Sequence, residues 1–384
     1  MSRQAVITGI GLTLPGNQTA DALWENQLNG NSQIKSVSDR LTGSRLNEAD
    51  IAGELPGRLA KKLDVFTRFA MVATKRALAD AQLDLNDTDK ERTGVFVGNG
   101  FGGWQFTETE LRNLHCDSPR AVSPFQATAW FPAAPQGQIS IYYGIKGFSK
   151  TYMADRISSL LSISSAAQQI EQNKLDVAIA GGCEATACDF VTTVLEAALP
   201  DSYSRTDYQP FSKGKNGFAS SEGAVFLILE DKEKAEARGA KIYAQVSDFV
   251  QRNAPCPSDQ YTTDASALMQ SMSGALGERH ADVVLADACG LNSVDNAEAQ
   301  AIREVTPNAE VLAPKATLGH SFGAEGALDV ALACLMLQKQ TTLPSQIHNP
   351  IDSLTTSNSA KNISTVLING LGAGGAAASL VIEK

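Results

Sequence analysis

Residues 157–172, ISSLLSISSAAQQIEQ, place the strongest constraint on the fold. Nearly every position is apolar or small, and the run has the length of a helix. A helix that is apolar or small nearly all round is usually buried on every side. Because such a helix must lie between two sheets, we expect more than three layers of secondary structure. The chain enters this helix through a sharp turn at Arg156, the kind of turn on which α/β enzymes often carry a nucleophile.

Continuous Val/Ile/Leu runs recur along the chain and predict strands buried on both faces. Helical patterns separate them, for example at 66–82 and 264–279, and this alternation favours a layered α/β fold. The charged stretch 231–239, DKEKAEARG, is typical of a linker, and strands and helices start again after it. This restart predicts two similar halves, residues 1–238 and 239–384. The predicted strands lie at 4–11, 93–100, 176–182, 223–231, 241–250, 282–290, 364–372 and 377–384.

Charge and cysteine usage exclude several function classes. A formal charge of −10 argues against a nucleic acid or an anionic membrane as partner, because both select a basic surface. No apolar run approaches the roughly 18 residues needed to cross a bilayer, and no signal peptide is evident, so we expect a cytoplasmic chain with reduced thiols. The six cysteines form no Cys-x-x-Cys pair and the four histidines are scattered, so we expect no metal site and no cofactor.

Three glycine-punctuated stretches differ in their functional meaning. GNGFGG at 98–103 and GLGAGG at 370–375 lack the strand and helix context of a dinucleotide site and the lysine of a P-loop, so tight bends are the favoured interpretation. By contrast, Lys315 and His320 lie five residues apart on a glycine-rich turn before a long apolar helix. This placement favours a former active site over a purely structural histidine.

The order of these motifs resembles a known family. AVITGIG, GNGFGG, YYGIKG, DVAIAGGCE, GFASSEGA, KATLGHSFGAEGA, IHNP and NGLGAGG follow one another along essentially the whole chain, as in the β-ketoacyl-acyl-carrier-protein synthases of the thiolase-fold superfamily. The resemblance implies a thiolase-like five-layered α-β-α-β-α sandwich of two similar halves. That fold would account for the buried helix and for the restart near residue 240.

The resemblance also assigns the catalytic positions one by one. In the family, a Cys at the N-terminus of the buried helix takes the acyl chain as a thioester, and two His stabilise the enolate and the oxyanion. Here the Cys position falls on Arg156 and the first His position on Cys289, while the second His survives as His320 with Lys315 before it. The aromatic gate of the late glycine-rich loop is replaced by Ala373. The resemblance therefore implies a degenerate site with no catalytic residue.

Arg156 can act neither as a base nor as a nucleophile, because arginine stays protonated in proteins. Its charge opposes the helix dipole at a cost of about 0.3–1 kcal/mol, and Asp155 is a candidate helix cap or ion-pair partner. Two interpretations stay open: the guanidinium fills a disused pocket, or it reaches a partner subunit. Cys183 and Cys289 are candidates for a relocated nucleophile, but we expect both to be inert, because neither lies at a helix N-terminus beside a basic partner.

A synthase-like chain without its nucleophile resembles the chain-length factor of type II polyketide systems. The resemblance implies a non-catalytic subunit that pairs with an active ketosynthase and shapes the tunnel for the acyl chain. The Gln- and Asn-rich composition resembles the partners found in aryl polyene (polyene pigment) pathways, which implies a polyene chain in the shared tunnel. Acyl carrier protein is a further candidate partner, and the basic stretch 57–68 is either its docking patch or a solvated helix face.

Trp130 and Phe131 lie in the segment 122–138, VSPFQATAWFPAAPQGQ, which corresponds to the stretch that crosses the dimer in this family. We expect them to form the floor of the tunnel or, as the simpler alternative, to pack in the interface. Two other functions stay open at this stage. The chain could be an atypical condensing or decarboxylating synthase that works alone with His320 and Cys289, or a homodimeric acyl-binding scaffold.

Overall fold

The computed structural model describes residues 3–38, 41–198, 208–214, 217–351, 354–356 and 362–384. Ten strands form the main sheet: β1 (Ala5–Thr13), β2 (Thr93–Gly98), β3 (Lys150–Tyr152), β4 (Val177–Glu184), β5 (Gly223–Asp231), β6 (Ala244–Asn253), β7 (Val283–Leu285), β8 (Glu310–Leu312), β9 (Thr365–Gly372) and β10 (Ala376–Glu383). Three short strands, Lys35–Ser36, Thr42–Gly43 and Ala219–Ser220, form a separate small sheet.

The described α-helices alternate with these strands. They are α1 (Ala20–Leu28), α2 (Gly57–Ala60), α3 (Val65–Asp80), α4 (Trp104–Arg112), α5 (Gln126–Ala129), α6 (Ala134–Tyr143), α7 (Ser158–Glu171), α8 (Asp189–Ala198), α9 (Lys232–Ala237), α10 (Ser266–Leu276), α11 (Asn292–Val305), α12 (Lys315–Leu318) and α13 (Glu325–Lys339). None of the helices in the described ranges is long and apolar enough to span a membrane.

The strand order shows an internal repeat. The ten strands run β8-β7-β9-β10-β6-β1-β5-β4-β2-β3. In the first half, β1 pairs antiparallel with β5, β5 antiparallel with β4, and β4 and β3 pair parallel with β2. In the second half, β6, β10, β9, β7 and β8 repeat the same sequence of pairings. The two halves join where β1 pairs with β6, from Ala5 opposite Val246 to Ile7 opposite Ala244.

Apolar cores fill the spaces between five layers of helices and strands. The central core contains the buried faces of α7 and α13 together with inward residues of both half-sheets, such as Leu227 and Leu380. A second core joins α3 to the outer face of the first half-sheet, and a third joins α10 and α11 to the outer face of the second. The order is therefore α-β-α-β-α, which confirms the predicted thiolase-like sandwich of two similar halves.

The predicted strands and helices agree with the structure, apart from one strand that is shorter and one predicted linker that is a helix. The predicted helix 157–172 forms as α7, buried between the half-sheets. The predicted strand 282–290 ends early, at Leu285, because the chain leaves the sheet there and turns. The stretch 231–239, interpreted as a linker, instead forms α9, whose N-terminus is capped by Asp231 at 3.2 Å from the Lys234 amide. The proposed boundary between residues 238 and 239 stays a prediction.

The two central helices approach closely at Gly326, in the first turn of α13. A Cβ added there would lie 2.5 Å from Cγ of Leu160 and 3.1 Å from Oγ of Ser159. The same Ser159 hydroxyl accepts a hydrogen bond from the Ala327 amide at 3.0 Å. Since both helices are packed on all sides, neither can move away to accept an extra methyl group.

We predict that Gly326→Ala lowers the free energy of unfolding by about 1–3 kcal/mol through overpacking, although alanine is the better helix former by about 1 kcal/mol. Gly137→Ala is the matched control, because Gly137 lies within α6 with open space where the Cβ would stand. It should be neutral or stabilising. Urea unfolding of the three proteins measures the difference, and equal stability of both variants would contradict the packing argument.

Candidate functional site

The turn before α7 has an unusual backbone held by local hydrogen bonds. Asp155 adopts the left-handed region at φ +51°, which non-glycine residues rarely occupy. Ser158, the first residue of α7, stabilises it: its hydroxyl accepts from the Ala154 amide at 2.8 Å and donates to the Asp155 carbonyl at 2.6 Å. This turn aims the side chain of Arg156 into the protein, where it is only 4% exposed.

The Arg156 guanidinium forms a buried ion pair with Asp287. Its Nη1 donates to Oδ2 of Asp287 at 2.9 Å, and both side chains are 3% exposed. The guanidinium also stacks on the ring of Tyr261, 3.6 Å from the ring centroid. Burial alone would raise the pKa of Asp287, but Arg156, His320 and Lys315 together outweigh burial and hold the pKa well below its usual range. The carboxylate therefore stays ionised, and the cation is neutralised inside the chain.

Asp155 neither caps α7 nor forms a close pair with Arg156. Its Oδ2 instead accepts from the Tyr261 hydroxyl at 2.8 Å and from the Ala373 amide at 3.0 Å, and it lies 3.9 Å from Nε of Arg156. Both donors belong to the second half of the chain. Asp155 and Arg156 thus tie the turn of the first half to a loop and a strand end of the second half.

His320 and Asp287 face each other across a short gap. Nδ1 of His320 accepts from the Phe322 amide at 3.0 Å, so a neutral ring carries its proton on Nε2. That atom lies 3.8 Å from Oδ1 of Asp287, too far for a hydrogen bond, and has no hydrogen-bond partner among the described residues. The structure therefore places His320 beside the Arg156–Asp287 pair.

Lys315 lies in the same cluster but serves as an anchor. Its Nζ donates to the Ala286 carbonyl at 2.8 Å and to Asp329 at 3.1 Å, and it lies 3.5 Å from Glu325. Burial favours the neutral amine, but the two carboxylates outweigh it and raise the pKa of Lys315. A lysine held protonated and fully bonded cannot serve as a base.

Cys289 has the environment of an inert thiol. It is 1% exposed, and its Sγ donates to Oδ1 of Asp295 at 3.5 Å. Burial raises the pKa of the thiol far above its usual range, and the nearby charge of Arg156 does not compensate. Burial also raises the pKa of Cys183. Neither sulfur has thiolate character, which is what nucleophilic attack requires.

The predicted tunnel residues fall in two places. Trp130 and Phe131 lie on the surface of the single chain, 47% and 51% exposed, with their ring centroids 5.7 Å apart. Ala373 lies instead in the turn between β9 and β10, where its amide donates to Asp155. Ala373 therefore lies beside the turn that carries Arg156.

Two residues of the site were missed by the sequence reasoning, Asp287 and Tyr261. Asp287 follows the buried strand β7 and precedes the assigned position Cys289 by two residues, so an acid at the carboxyl end of a parallel strand was an available signal. Tyr261 lies in an irregular loop whose sequence carries no pattern. Arg156, Asp287, His320 and Lys315 form one cluster, and the described residues contain no group of three or more side chains placed to hold a metal ion.

Family models match both halves of the chain. The β-ketoacyl synthase N-terminal domain matches residues 2–235, and the β-ketoacyl synthase C-terminal domain matches residues 240–349. The tetracenomycin polyketide synthase ketoacyl synthase beta subunit of Streptomyces glaucescens is 31% identical over 401 residues, covering 99% of this chain and 98% of the relative. A 3-oxoacyl-[acyl-carrier-protein] synthase 2 of Staphylococcus aureus (strain N315) is 30% identical over 413 residues, covering 100% of this chain and 99% of the relative.

Solved structures agree with the fold over the full length. A type II polyketide synthase acyl-carrier protein in complex with its ketosynthase bound to the hexaketide gives a TM-score of 0.79 at 26% identity, covering 99% of each chain. The ishigamide ketosynthase/chain length factor gives a TM-score of 0.87 at 20% identity, covering 100% of each chain. At that lower identity the likeness shows the fold alone.

We predict that Arg156→Met lowers the free energy of unfolding at pH 7 by about 3–5 kcal/mol, because it leaves the buried Asp287 carboxylate unpaired. In the wild type, the lowered pKa of Asp287 gives stability that is present above about pH 4 and is lost as the pH falls through that pKa. In the variant the pKa of Asp287 rises, so the deficit should shrink as the pH falls. Urea unfolding between pH 4 and pH 8 measures both effects.

Two further variants control this measurement. Adding Asp287→Asn to Arg156→Met should recover part of the loss, because the amide carbonyl can still accept from the Leu371 amide, which lies 3.2 Å from Oδ1. Arg120→Met removes an exposed arginine and should change stability by less than about 0.5 kcal/mol. A deficit of the Arg156 variant that does not change with pH would contradict the ion-pair assignment.

Proposed function

Because this chain belongs to the β-ketoacyl synthase family, we propose that it is the non-catalytic subunit of a ketosynthase pair. In this role it acts as a chain-length factor: it binds an active β-ketoacyl synthase and shapes the tunnel that receives the growing acyl chain. The observation that carries the proposal is the buried Arg156–Asp287 pair at the turn before α7. A guanidinium cannot accept an acyl group, and at this position it leaves no room for a residue that can.

The environment of the remaining groups argues against a synthase acting alone. The nucleophile available to such an enzyme would be Cys289, and burial keeps that thiol protonated. His320 is 0% exposed, so a substrate could reach it only if the side chains that bury it moved. The atypical synthase is therefore the less supported alternative.

The free edge of the main sheet supports a partner chain. β3 ends the strand order, so its outer edge offers backbone groups for pairing with another chain. Two large apolar side chains flank β3 in sequence, Phe148 at 51% and Met153 at 53% exposure, and Ile141 on α6 is 75% exposed. Large apolar side chains left exposed on one chain often mark a protein interface when they form a patch. We assign this face to the ketosynthase subunit.

Trp130 and Phe131 are the residues proposed to limit the tunnel. They project from the segment that leads into α6, and α6 carries the exposed Ile141. Bulky rings at the edge of a docking face are suited to blocking a channel that the partner opens. An acyl or polyene chain would end against them. The polyene assignment rests on composition and stays a prediction.

Acyl carrier protein is a second proposed partner. Arg58, Lys61 and Lys62, in and just after α2, are exposed and give a local positive surface on a chain whose formal charge is −10. An acidic protein would be attracted to this patch at low ionic strength. Direct contact and delivery by way of the partner alone both remain compatible with the tunnel role.

We predict a stable one-to-one complex when this chain is co-expressed with an active ketosynthase from the same organism, because the free edge and its apolar residues need a cover. After incubation with malonyl- and acyl-carrier protein, intact mass spectrometry should detect an acyl adduct on the ketosynthase and none on this chain. The ketosynthase serves as the internal positive control. An adduct on this chain would overturn the non-catalytic assignment, and a homodimer that ignores the ketosynthase would favour an independent scaffold.

We predict that Trp130→Ala lengthens the products of the complex, because removing the indole deepens the tunnel. Phe190→Ala is the matched control, since Phe190 is also an exposed ring, at 42%, and lies on α8, outside the segment that carries Trp130. Mass spectrometry of the released products gives the length distribution. Unchanged product lengths in the Trp130 variant would indicate that Trp130 only packs in the subunit interface.

A further inference from the structure

We propose that the loop before α4 and one face of α4 fix how far the rings of Trp130 and Phe131 project into the proposed tunnel, before any partner binds. We call this loop and this helix face the positioning rail. This inference rests on the proposed function, because it concerns the same tunnel floor. The rail binds the segment 123–132, which we call the crossing segment. The rail residues are Asn99, Gly103, Thr107 and Glu110.

Two bonds from the loop hold the C-terminal end of the crossing segment. Nδ2 of Asn99 donates to the Pro132 carbonyl at 2.9 Å, and the Gly103 amide donates to the Trp130 carbonyl at 3.0 Å. The approach is close enough to require glycine, because a Cβ on Gly103 would lie 2.2 Å from the Ala129 carbonyl oxygen. The backbone on both sides of Phe131 is therefore fixed.

Two bonds from the helix hold the N-terminal end. Nε2 of Gln126 donates to Oγ1 of Thr107 at 3.1 Å, and the Ser123 amide donates to Oε2 of Glu110 at 2.6 Å. Thr107 and Glu110 lie three residues apart and therefore on one face of α4. Both are 8% exposed, so these contacts are largely shielded from water.

The four bonds follow a regular order. Positions 99, 103, 107 and 110 of the rail bind positions 132, 130, 126 and 123 of the crossing segment, so the two run in opposite directions. A shift of the segment by one residue would break all four bonds together. The Phe131 carbonyl is also occupied, accepting from the Ala134 amide at 2.8 Å.

This arrangement leaves the two rings projecting from a rigid support. The backbone from Trp130 to Pro132 is bonded within the chain, while both rings stay about half exposed. A surface ordered in advance loses less conformational entropy when it binds. A rigid support also gives the proposed tunnel a single depth rather than a range of depths. The rail residues therefore act as positioning residues that set product length.

The test compares Thr107→Val with Thr109→Val. The Thr107 hydroxyl donates to the Gly103 carbonyl at 2.6 Å, and that of Thr109 donates to the Gln105 carbonyl at 3.3 Å. Both variants therefore lose a hydroxyl bond within the same helical stretch, and the Thr107 variant alone also loses a rail bond. In the isolated subunit, hydrogen exchange of peptides covering 123–132 should accelerate about two- to tenfold for Thr107→Val and stay unchanged for Thr109→Val.

A second variant protects the test against misfolding. Gln126→Met removes the same bond between Gln126 and Thr107, but from the crossing segment, where Gln126 is half-buried. It leaves the sequence of α4 unchanged. In the complex with the ketosynthase, both rail variants should broaden the product-length distribution, with thermal stability close to that of Thr109→Val. A merely structural role would change thermal stability and leave the lengths alone.

Each outcome decides a separate point. Unchanged exchange in both rail variants overturns the rail, whatever the function of the chain. Faster exchange with unchanged product lengths, in a complex where Trp130→Ala does alter them, overturns the link from the rail to length and leaves the proposed function standing. If Trp130→Ala also leaves the product lengths unchanged, the assignment of Trp130 to the tunnel floor is wrong, and the inference about product length is wrong with it.

Discussion

The buried ion pair between Arg156 and Asp287 is the interaction on which the rest of the site depends. Moving either charge alone into the interior would cost several kcal/mol, so each residue requires the other, and the 2.9 Å contact meets that need. Arg156 comes from the first half of the chain and Asp287 from the second. The pair therefore ties the two halves together at the turn before α7.

The charged groups around this ion pair are themselves paired with groups of opposite charge. Lys315 is matched by Asp329 and Glu325, and Asp287 is matched by Arg156. Strongly shifted pKa values often mark active sites, but structural ion-pair networks shift them as well. Here the shifts stabilise the charge states that already exist: Asp287 stays ionised and Lys315 stays protonated. These ion pairs hold the shape of the site, although burial raises the pKa of Asp329, the partner of Lys315, to about 7.

The sequence predicts the scaffold better than the site, for physical reasons. The layers follow from continuous apolar runs and from the small, apolar helix 157–172, because burial sets those patterns over many residues. The partners of Arg156 depend instead on single residues in irregular conformations. Asp155 and Ala288 both have positive φ, and Tyr261 reaches the site from a loop. The Thr107–Glu110 spacing on α4 is visible in sequence, but their partners Ser123 and Gln126, before and at the start of the four-residue helix α5, carry no periodic signal.

The turn that carries Arg156 and the proposed tunnel floor are joined by contiguous contacts. The turn that carries Arg156 is closed by Ser158, whose hydroxyl also lies 3.2 Å from the Asn99 carbonyl as a second acceptor. The side chain of Asn99 in turn holds the Pro132 carbonyl, next to Phe131. Since packed interiors transmit displacement rather than absorb it, fixing the turn also fixes the crossing segment. The Arg156–Asp287 ion pair therefore also stabilises the turn against which the crossing segment is held.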